Sequence, residues 1–178
     1  MLALVPAPSA LECLRCERQY PVVPMPAGCP ACSSEGTPSN VQPIYARMQP
    51  LRPGRLTGSG LPRYLPQLPV ARDKLVSLGE GGTPLIATPR LAKEIGLRRL
   101  MIKDERMNPT GSWRDRYSAL AISQIADEPA STVGCAGSES LCVSLAAYAA
   151  RAQMRSVSLV DAALDEEGGR VLDAIEGG

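Results

Sequence analysis

The stretch NPTGSWRDR, from Asn108 to Arg116, contains residue types that bind small anions. Gly111 permits a tight turn, and Thr110 and Ser112 on either side carry hydroxyl groups. At the start of a helix, N–H groups without a helical partner attract negative charge. The spacing therefore makes Thr110, Gly111 and Ser112 candidate anion-binding residues.

Four cysteines near the N-terminus have the spacing of a metal site. Cys13 and Cys16 form one CxxC pair, and Cys29 and Cys32 form a second pair 12 residues later. Each pair is compact enough to turn two thiolates toward one tetrahedral ion, which indicates structural zinc. Disulfides are the alternative, but a cytoplasmic chain disfavours them.

Residues missing from the sequence limit its chemistry. The 178 residues include no His and no Phe, so Ser-His and Cys-His nucleophiles and histidine metal ligands are excluded within this chain. Cys135 and Cys142 are then expected to be small buried residues rather than nucleophiles. An amine nucleophile on a side chain must come from Lys74, Lys93 or Lys103.

The elements that position these residues follow from composition and periodicity. Before residue 70 the chain is proline-rich, which excludes regular helix and parallel sheet there. Later, alternating patterns predict strands and helices of a three-stranded parallel sheet covered by helices. The predicted strands are 98–103, 131–136 and 156–160, and the predicted helices are 88–96, 111–126, 138–153 and 165–176.

Several blocks in order resemble the N-terminal part of threonine synthase, a fold-type-II pyridoxal-phosphate enzyme. They are LGEGGTPL at 78–85, the strand with Lys103 and Glu105, NPTGSWRDR, and SLAAYAARA at 144–152. The resemblance implies an α/β fold with a partial doubly wound parallel sheet, preceded by a small four-cysteine zinc ribbon. It implies pyridoxal phosphate as cofactor and, for the family, conversion of O-phosphohomoserine and water to threonine and phosphate.

The family motif reads NPTGSFKDR, and its lysine, which forms the Schiff base, falls here on Arg114. Because a guanidinium stays protonated and delocalised, it cannot supply the neutral amine that imine formation requires. Lys103 has a counterpart in the family that does not form the imine. We expect Trp113, at the family's Phe, to lie in the core, and Asp115 and Arg116 to form a surface pair and cap.

The loop after the second predicted strand also departs from the family. A Ser-Thr-Gly-Asn run there holds the substrate carboxylate and the cofactor ring oxygen in the family, and its Asn falls on Ser140. Glu139 places a carboxylate where the substrate carboxylate would bind. The expectation from the residues is that Ser138 caps the helix and Glu139 complements its dipole.

Three segments are predicted: a zinc-ribbon-like segment at 1–36, an extended Pro/Arg-rich connector at 37–72 with a flexible point at Gly58 to Gly60, and a partial α/β domain at 73–178. Family members continue into a second portion with a glycine-rich phosphate cup, so the sequence indicates a truncated protein. On that basis Arg114→Lys is expected to restore little cofactor binding.

The sequence therefore predicts a degenerate threonine-synthase-like protein that is not catalytic alone. Two alternatives stay open: a subunit of a split or residual pyridoxal-phosphate-dependent lyase, and a zinc-ribbon interaction module. A companion subunit or second copy is expected to cover the open sheet edge. The net charge of +1 and the lack of long apolar runs predict a cytoplasmic protein without nucleic-acid or membrane partners.

Overall fold

The computed structural model describes residues 7–46, 58–127 and 132–159, which form two compact units. The cysteine unit consists mainly of residues 7–46. The α/β unit consists of residues 58–65, 70–127 and 132–159. The three predicted segment boundaries stay a prediction.

The cysteine unit is built on a small antiparallel sheet with strand order β2-β1-β3. Its elements are β1 (Ala10–Cys13), β2 (Gln19–Tyr20), the short helix α1 (Pro30–Ser34) and β3 (Val41–Ile44). Gly28 has a φ of 72°, and a Cβ there would lie 2.4 Å from the Ser39 carbonyl oxygen. That close approach lets Cys29 N–H donate to the same oxygen at 2.8 Å.

The core of the cysteine unit is too small to be stable by hydrophobic burial alone. Its buried residues are Cys13, Cys29 and Cys32, and the partly buried side chains packed around them are Tyr20, Ala31 and Val41. Domains below about 40 residues usually need a metal, a disulfide or a partner. The fold of this unit therefore depends on what joins the four cysteines.

Two stretches of the predicted connector form regular secondary structure in the described residues. Val41–Ile44 pairs along its whole length with β1, from Cys13 opposite Val41 to Ala10 opposite Ile44. Leu61–Gln67 is a 3₁₀ helix. The Leu61 N–H donates to the Glu80 carbonyl at 2.9 Å, so the chain is held in place directly after the predicted flexible point. Residues 47–57 of the predicted connector lie outside the described residues.

The α/β unit contains two separate two-stranded sheets. Strands β4 (Leu85–Ala87) and β5 (Met101–Lys103) are antiparallel, whereas β6 (Thr132–Ala136) and β7 (Arg155–Leu159) are parallel. Its helices are α2 (Pro89–Glu94), α3 (Asp115–Ile125) and α4 (Glu139–Arg151), with single 3₁₀ turns at Arg72–Lys74 and Glu105–Met107.

The predicted sheet of three parallel strands is therefore wrong in its first strand. In the described residues β5 pairs with β4, a three-residue strand too short to be recognised by periodicity. The chain turns back through α2, and both the N–H and the hydroxyl of Thr88 donate to the Leu100 carbonyl. The predicted helix at 165–176 lies outside the described residues.

Helices α3 and α4 pack against each other and form the core of the α/β unit. Small buried side chains, among them Ala119 on α3 and Ala146 and Ala149 on α4, bring the two backbones close together. Ile122 of α3 and Tyr148 of α4 are the largest fully buried side chains of the unit. Within the described ranges, no helix has both the length and the apolar character needed to cross a bilayer.

Candidate functional site

The four cysteine sulfurs of the cysteine unit converge on one point. All four Sγ atoms lie within 4.8 Å of one another. Cys13 Sγ lies 3.7 Å from Cys32 Sγ, and Cys16 Sγ lies 3.7 Å from Cys29 Sγ. In a tetrahedral zinc site with Zn–S bonds of about 2.3 Å, neighbouring sulfurs lie about 3.8 Å apart. The sulfur arrangement thus has the dimensions of a four-cysteine zinc centre.

The hydrogen bonds around the sulfurs favour charged thiolates at two of them. The Cys16 N–H, which points at Cys13 Sγ, lowers the pKa of the Cys13 thiol to about 6. The Tyr20 hydroxyl, 3.1 Å from Cys29 Sγ, lowers the pKa of Cys29. Burial and the neighbouring cysteines raise the pKa of Cys32 to about 12. A cation at the centre would offset this repulsion between thiolates.

Residues Asn108 to Arg114 lie in turns before α3, and α3 begins at Asp115 rather than at the predicted Gly111. Gly111 has a φ of 74°, and its N–H donates to the Asn108 carbonyl at 2.9 Å. This left-handed residue ends the preceding turn and delays the helix by four residues.

Asp115, the first residue of α3, is fully buried, so the prediction of a surface residue is wrong. Its carboxylate accepts the Thr110 N–H at 2.7 Å and the Thr110 hydroxyl at 2.5 Å. The Ser144 hydroxyl on α4 donates to the same carboxylate at 2.6 Å. Both donors of Thr110 are therefore engaged by an anion of the protein itself, and the anion-binding role of Thr110, Gly111 and Ser112 stays a prediction.

Arg114 and Trp113 lie at the surface end of this turn. The Arg114 guanidinium carbon lies 4.9 Å from the centre of the Trp113 ring, a cation–π contact. Trp113 is 56% exposed, so the prediction that it lies in the core is wrong. The reason is that Trp113 precedes the helix and does not belong to the buried face of α3.

Arg116 pairs with Glu105 in a bidentate ion pair that joins α3 to the segment after β5. Its Nε and Nη2 atoms each lie 2.9 Å from a Glu105 oxygen. The hydroxyl of Thr83 donates to Glu105 at 2.7 Å, and the Asn108 amide donates to it at 3.0 Å. The Arg116 guanidinium first, with these donors, lowers the pKa of Glu105 from 4.5 to about 2.

Glu105→Gln is expected to lower the free energy of unfolding at pH 7 by about 1.5–3 kcal/mol, the range for hydrogen bonds to charged groups. Because the folded-state pKa is depressed, the stabilisation is present above about pH 4.5 and is lost as pH falls toward 2. Urea unfolding measured at several pH values checks this. Glu94→Gln, at an exposed position on α2, is the matched control, and an unchanged pH dependence in Glu105→Gln would contradict the assignment.

Glu80 is a second buried carboxylate that sequence reasoning did not identify as a site residue. It is fully buried and accepts the Tyr148 hydroxyl of α4 at 2.7 Å and the Leu78 N–H at 3.1 Å. Burial, and then the bond to Glu80, raise the pKa of Tyr148. The sequence signal that could have identified it is the position of this Glu between glycines in LGEGGTPL. A buried carboxylate needs backbone donors, and a turn of glycines exposes them.

The loop before α4 is arranged around Ser138, which takes the N-cap position with extended backbone angles. This confirms the predicted cap position, although the Ser138 side chain makes no capping hydrogen bond. The Ser138 carbonyl accepts from the Leu141 and Cys142 N–H groups. Ser140, the position of the family's Asn, is half-buried, and its hydroxyl lies 3.4 Å from that of Ser138. Glu139 lies in the first turn of α4, as predicted.

Cys135 and Cys142 are both buried, which confirms that they are core residues. Their sulfurs lie 3.3 Å apart. Burial and then the neighbouring Cys142 raise the pKa of Cys135 to about 11. A nucleophilic cysteine needs an accessible thiol with a lowered pKa, so neither the burial nor the raised pKa of Cys135 suits a nucleophile.

Comparison with known proteins finds the family of this chain. Residues 76–172 match the pyridoxal-phosphate dependent enzyme family. Threonine synthase of Methanocaldococcus jannaschii is 42% identical over 102 residues, 57% of this chain and 25% of the relative. Threonine synthase of Methanosarcina acetivorans is 40% identical over 100 residues, 56% of this chain and 24% of the relative.

A bacterial relative gives the same result. Threonine synthase of Mycobacterium tuberculosis is 41% identical over 98 residues, 54% of this chain and 27% of the relative. The chain thus spans about a quarter of the length of the relatives it matches. With the family match covering more than half of its residues, this chain belongs to the pyridoxal-phosphate dependent enzyme family and is similar to the N-terminal part of threonine synthases.

Proposed function

We propose that this chain is a threonine-synthase-like protein that folds around one structural zinc ion and does not attach pyridoxal phosphate covalently. The observation that carries the proposal is Arg114 at the family's Schiff-base position. On this proposal the chain has no lyase activity by itself, and the family reaction on O-phosphohomoserine requires a lysine that it does not have at that place.

The residues present do not fit covalent attachment of the cofactor. Arg114 is a guanidinium that stays protonated, and its charge is held over the Trp113 ring. Lys74 pairs with Asp127 at 2.6 Å, and Lys103 donates to the Thr83 carbonyl. Lys93, the third lysine, lies exposed on α2. No reaction step through the cofactor therefore follows from these side chains.

Zinc is proposed as the ligand of Cys13, Cys16, Cys29 and Cys32, with a role in folding. Four cysteine ligands leave no open coordination position for water or substrate, so the site is structural rather than catalytic. The sulfur spacing near 3.7 Å supports zinc over separate thiols. A reducing compartment such as the cytoplasm is part of this proposal, because thiolate ligands must escape oxidation.

The test is to incubate the zinc-loaded chain with equimolar pyridoxal phosphate, reduce it with borohydride and map any adduct by mass spectrometry. The proposal expects no mole-for-mole adduct on one lysine. A stoichiometric adduct on a single lysine of the native chain would refute it.

A companion subunit, or a second copy of the chain, is a further part of the proposal. On β7, Val157 and Leu159 are 49% and 68% exposed, and within the described residues this strand pairs with β6 alone. An unpaired strand edge next to exposed apolar side chains favours association. We expect sedimentation equilibrium of the zinc-loaded chain to give a mass above 18.8 kDa, whereas a monomer at all concentrations would contradict this.

A further inference from the structure

The α/β unit contains a pair of close sulfurs apart from the four cysteines of the zinc site. Cys135, near the end of β6, and Cys142, in the first turn of α4, have their Sγ atoms 3.3 Å apart. This separation is shorter than the 3.7 Å distances between sulfurs in the cysteine unit. Both thiols are free, so a covalent bond between them is open to this pair.

The distance between the two sulfurs favours a disulfide over a shared metal ion. An S–S bond is about 2.05 Å long, so the sulfurs of Cys135 and Cys142 need to approach by only about 1.3 Å. A zinc ion between two thiolates would instead hold them about 3.8 Å apart. Because α4 packs on β6, the two side chains already face each other and rotation of their side-chain torsion angles can close the gap.

A buried hydroxyl group without a partner lies on the neighbouring strand. Ser158 of β7 is paired in register with Cys135, and residues paired in this way project from the same face of strands about 4.8 Å apart. The Ser158 Oγ is buried and has no hydrogen-bond partner within the described residues. Native proteins rarely leave such a group unpaired. An oxygen atom added to the Cys135 sulfur would give this hydroxyl a partner.

The two thiols differ in their access to solvent. Cys135 is 7% exposed, whereas Cys142 is 0% exposed, so a small oxidant meets the Cys135 sulfur first. Burial raises the pKa of Cys135 to about 11, which makes the thiolate scarce at neutral pH and its oxidation slow. A slow reaction is compatible with modification during sustained oxidation and incompatible with catalytic turnover.

We propose that Cys135 and Cys142 are a modification site at which hydrogen peroxide converts two free thiols into a disulfide. The Cys135 thiolate attacks one peroxide oxygen, the O–O bond breaks, and a sulfenic acid forms as hydroxide leaves. The Cys142 sulfur then attacks the sulfenic sulfur, the S–S bond forms, and the hydroxyl group leaves as water. Peroxide takes up the two electrons, so two thiols and one peroxide give one disulfide and two waters.

The disulfide fixes the start of α4 to the end of β6. The loop between them is already tight, since a Cβ at Gly137 would lie 3.1 Å from the Leu141 side chain. The Ser138 carbonyl also accepts the Cys142 N–H at 3.1 Å. A covalent bond across this loop restricts its opening further. The inference depends neither on Arg114 nor on the zinc ion.

Mass spectrometry of the full, zinc-loaded chain after treatment with hydrogen peroxide tests the proposal. Trypsin cuts at Arg116 and Arg151, so both cysteines stay on one peptide, 117–151, separate from the four zinc ligands. After unfolding and labelling with N-ethylmaleimide, this peptide is expected to carry two labels in the untreated chain. After peroxide, most of it should carry no label and lack two hydrogen atoms. Cleavage after Glu139 without reduction should then leave its two parts joined.

Cys142→Ala is the variant that removes the second sulfur. Its oxidised Cys135 has no thiol with which to react, so peroxide is expected to produce sulfinic or sulfonic acid at Cys135. Ser140→Ala is the matched control, because it changes the same turn of α4 and keeps both thiols. This control should form the disulfide to the same extent as the native chain.

Hydrogen exchange of the native chain gives a second measurement that needs no variant to fold. The amides of residues 137–142 are expected to exchange about tenfold more slowly after oxidation, because the disulfide suppresses local opening. Two labels on peptide 117–151 after peroxide, sulfinic acid at Cys135 beside a free Cys142 in the native chain, or a disulfide that forms only in urea would each overturn the proposal. Unchanged exchange in the oxidised chain would overturn it as well.

Discussion

Simultaneous replacement of Cys13 and Cys32 by serine is expected to abolish zinc binding and unfold the cysteine unit. These two thiols and Cys29 are the only buried side chains in the core of that unit within the described residues. Structural zinc contributes an apparent 10–16 kcal/mol at pH 7, which exceeds the total stability of a small domain. Without the ion, no other interaction of comparable free energy would hold β1, β3 and α1 together.

The measurement is zinc per chain by mass spectrometry of the metal, combined with limited proteolysis of residues 7–46. One zinc per native chain and none in the double variant is the expected result, with new cleavage sites in the variant. Cys135→Ala removes a buried cysteine of the α/β unit and should keep one zinc per chain. Full zinc occupancy in the double variant, or resistance to protease after metal chelation, would show that the cluster does not hold the unit together.

The second large effect concerns Arg114, which stands where the resemblance places the family's lysine. In the native chain, borohydride after equimolar pyridoxal phosphate is expected to trap no stoichiometric adduct, because residue 114 has no neutral amine to offer. Scattered, substoichiometric labelling of exposed Lys93 would not count as a site. The readouts are the mass of the intact chain and the position of any modified peptide.

Arg114→Lys is the matched variant for this experiment, since it keeps a positive charge next to Trp113 and restores an amine. Little adduct is expected at position 114 of the variant, as predicted from the sequence. A stoichiometric adduct there and none in the native chain would attribute the lost linkage to this one side chain alone. Equal labelling of both proteins at the same lysine would contradict the role assigned to Arg114. Zinc content should be equal in both, because residue 114 lies outside the cysteine unit.

Local signals in the sequence were sufficient for several elements. Pro89 after Thr88 and Gly96 with a φ of 74° bracket α2 as predicted, because proline fixes the first helical turn and glycine adopts the left-handed end. The apolar spacing on 138–153 predicted α4 to within two residues at its C-terminal end. The two CxxC pairs predicted four converging thiols, which the structure brings within 4.8 Å.

The pairing of strands could not be read from local signals. Strand β5 was expected beside β6 and β7, but it pairs with β4, which is only three residues long. Periodicity reports which residues form a strand and does not report the partner, because partners are chosen by long-range packing. The start of α3 was missed for a related reason, since the carboxylate of Asp115, its first residue, accepts the Thr110 N–H and holds the preceding residues in a turn.

The sequence by itself determined the chemistry that each position offers: no histidine anywhere, four cysteines in two CxxC pairs, and a guanidinium at 114, where the resemblance places the family's lysine. Residue type fixes protonation and nucleophilicity, so these statements needed no coordinates. Only the tertiary structure decided which groups are buried together. It set Asp115 against Ser144, Glu80 against Tyr148 and Lys103 near Arg63, because contacts between residues far apart in the chain arise from packing.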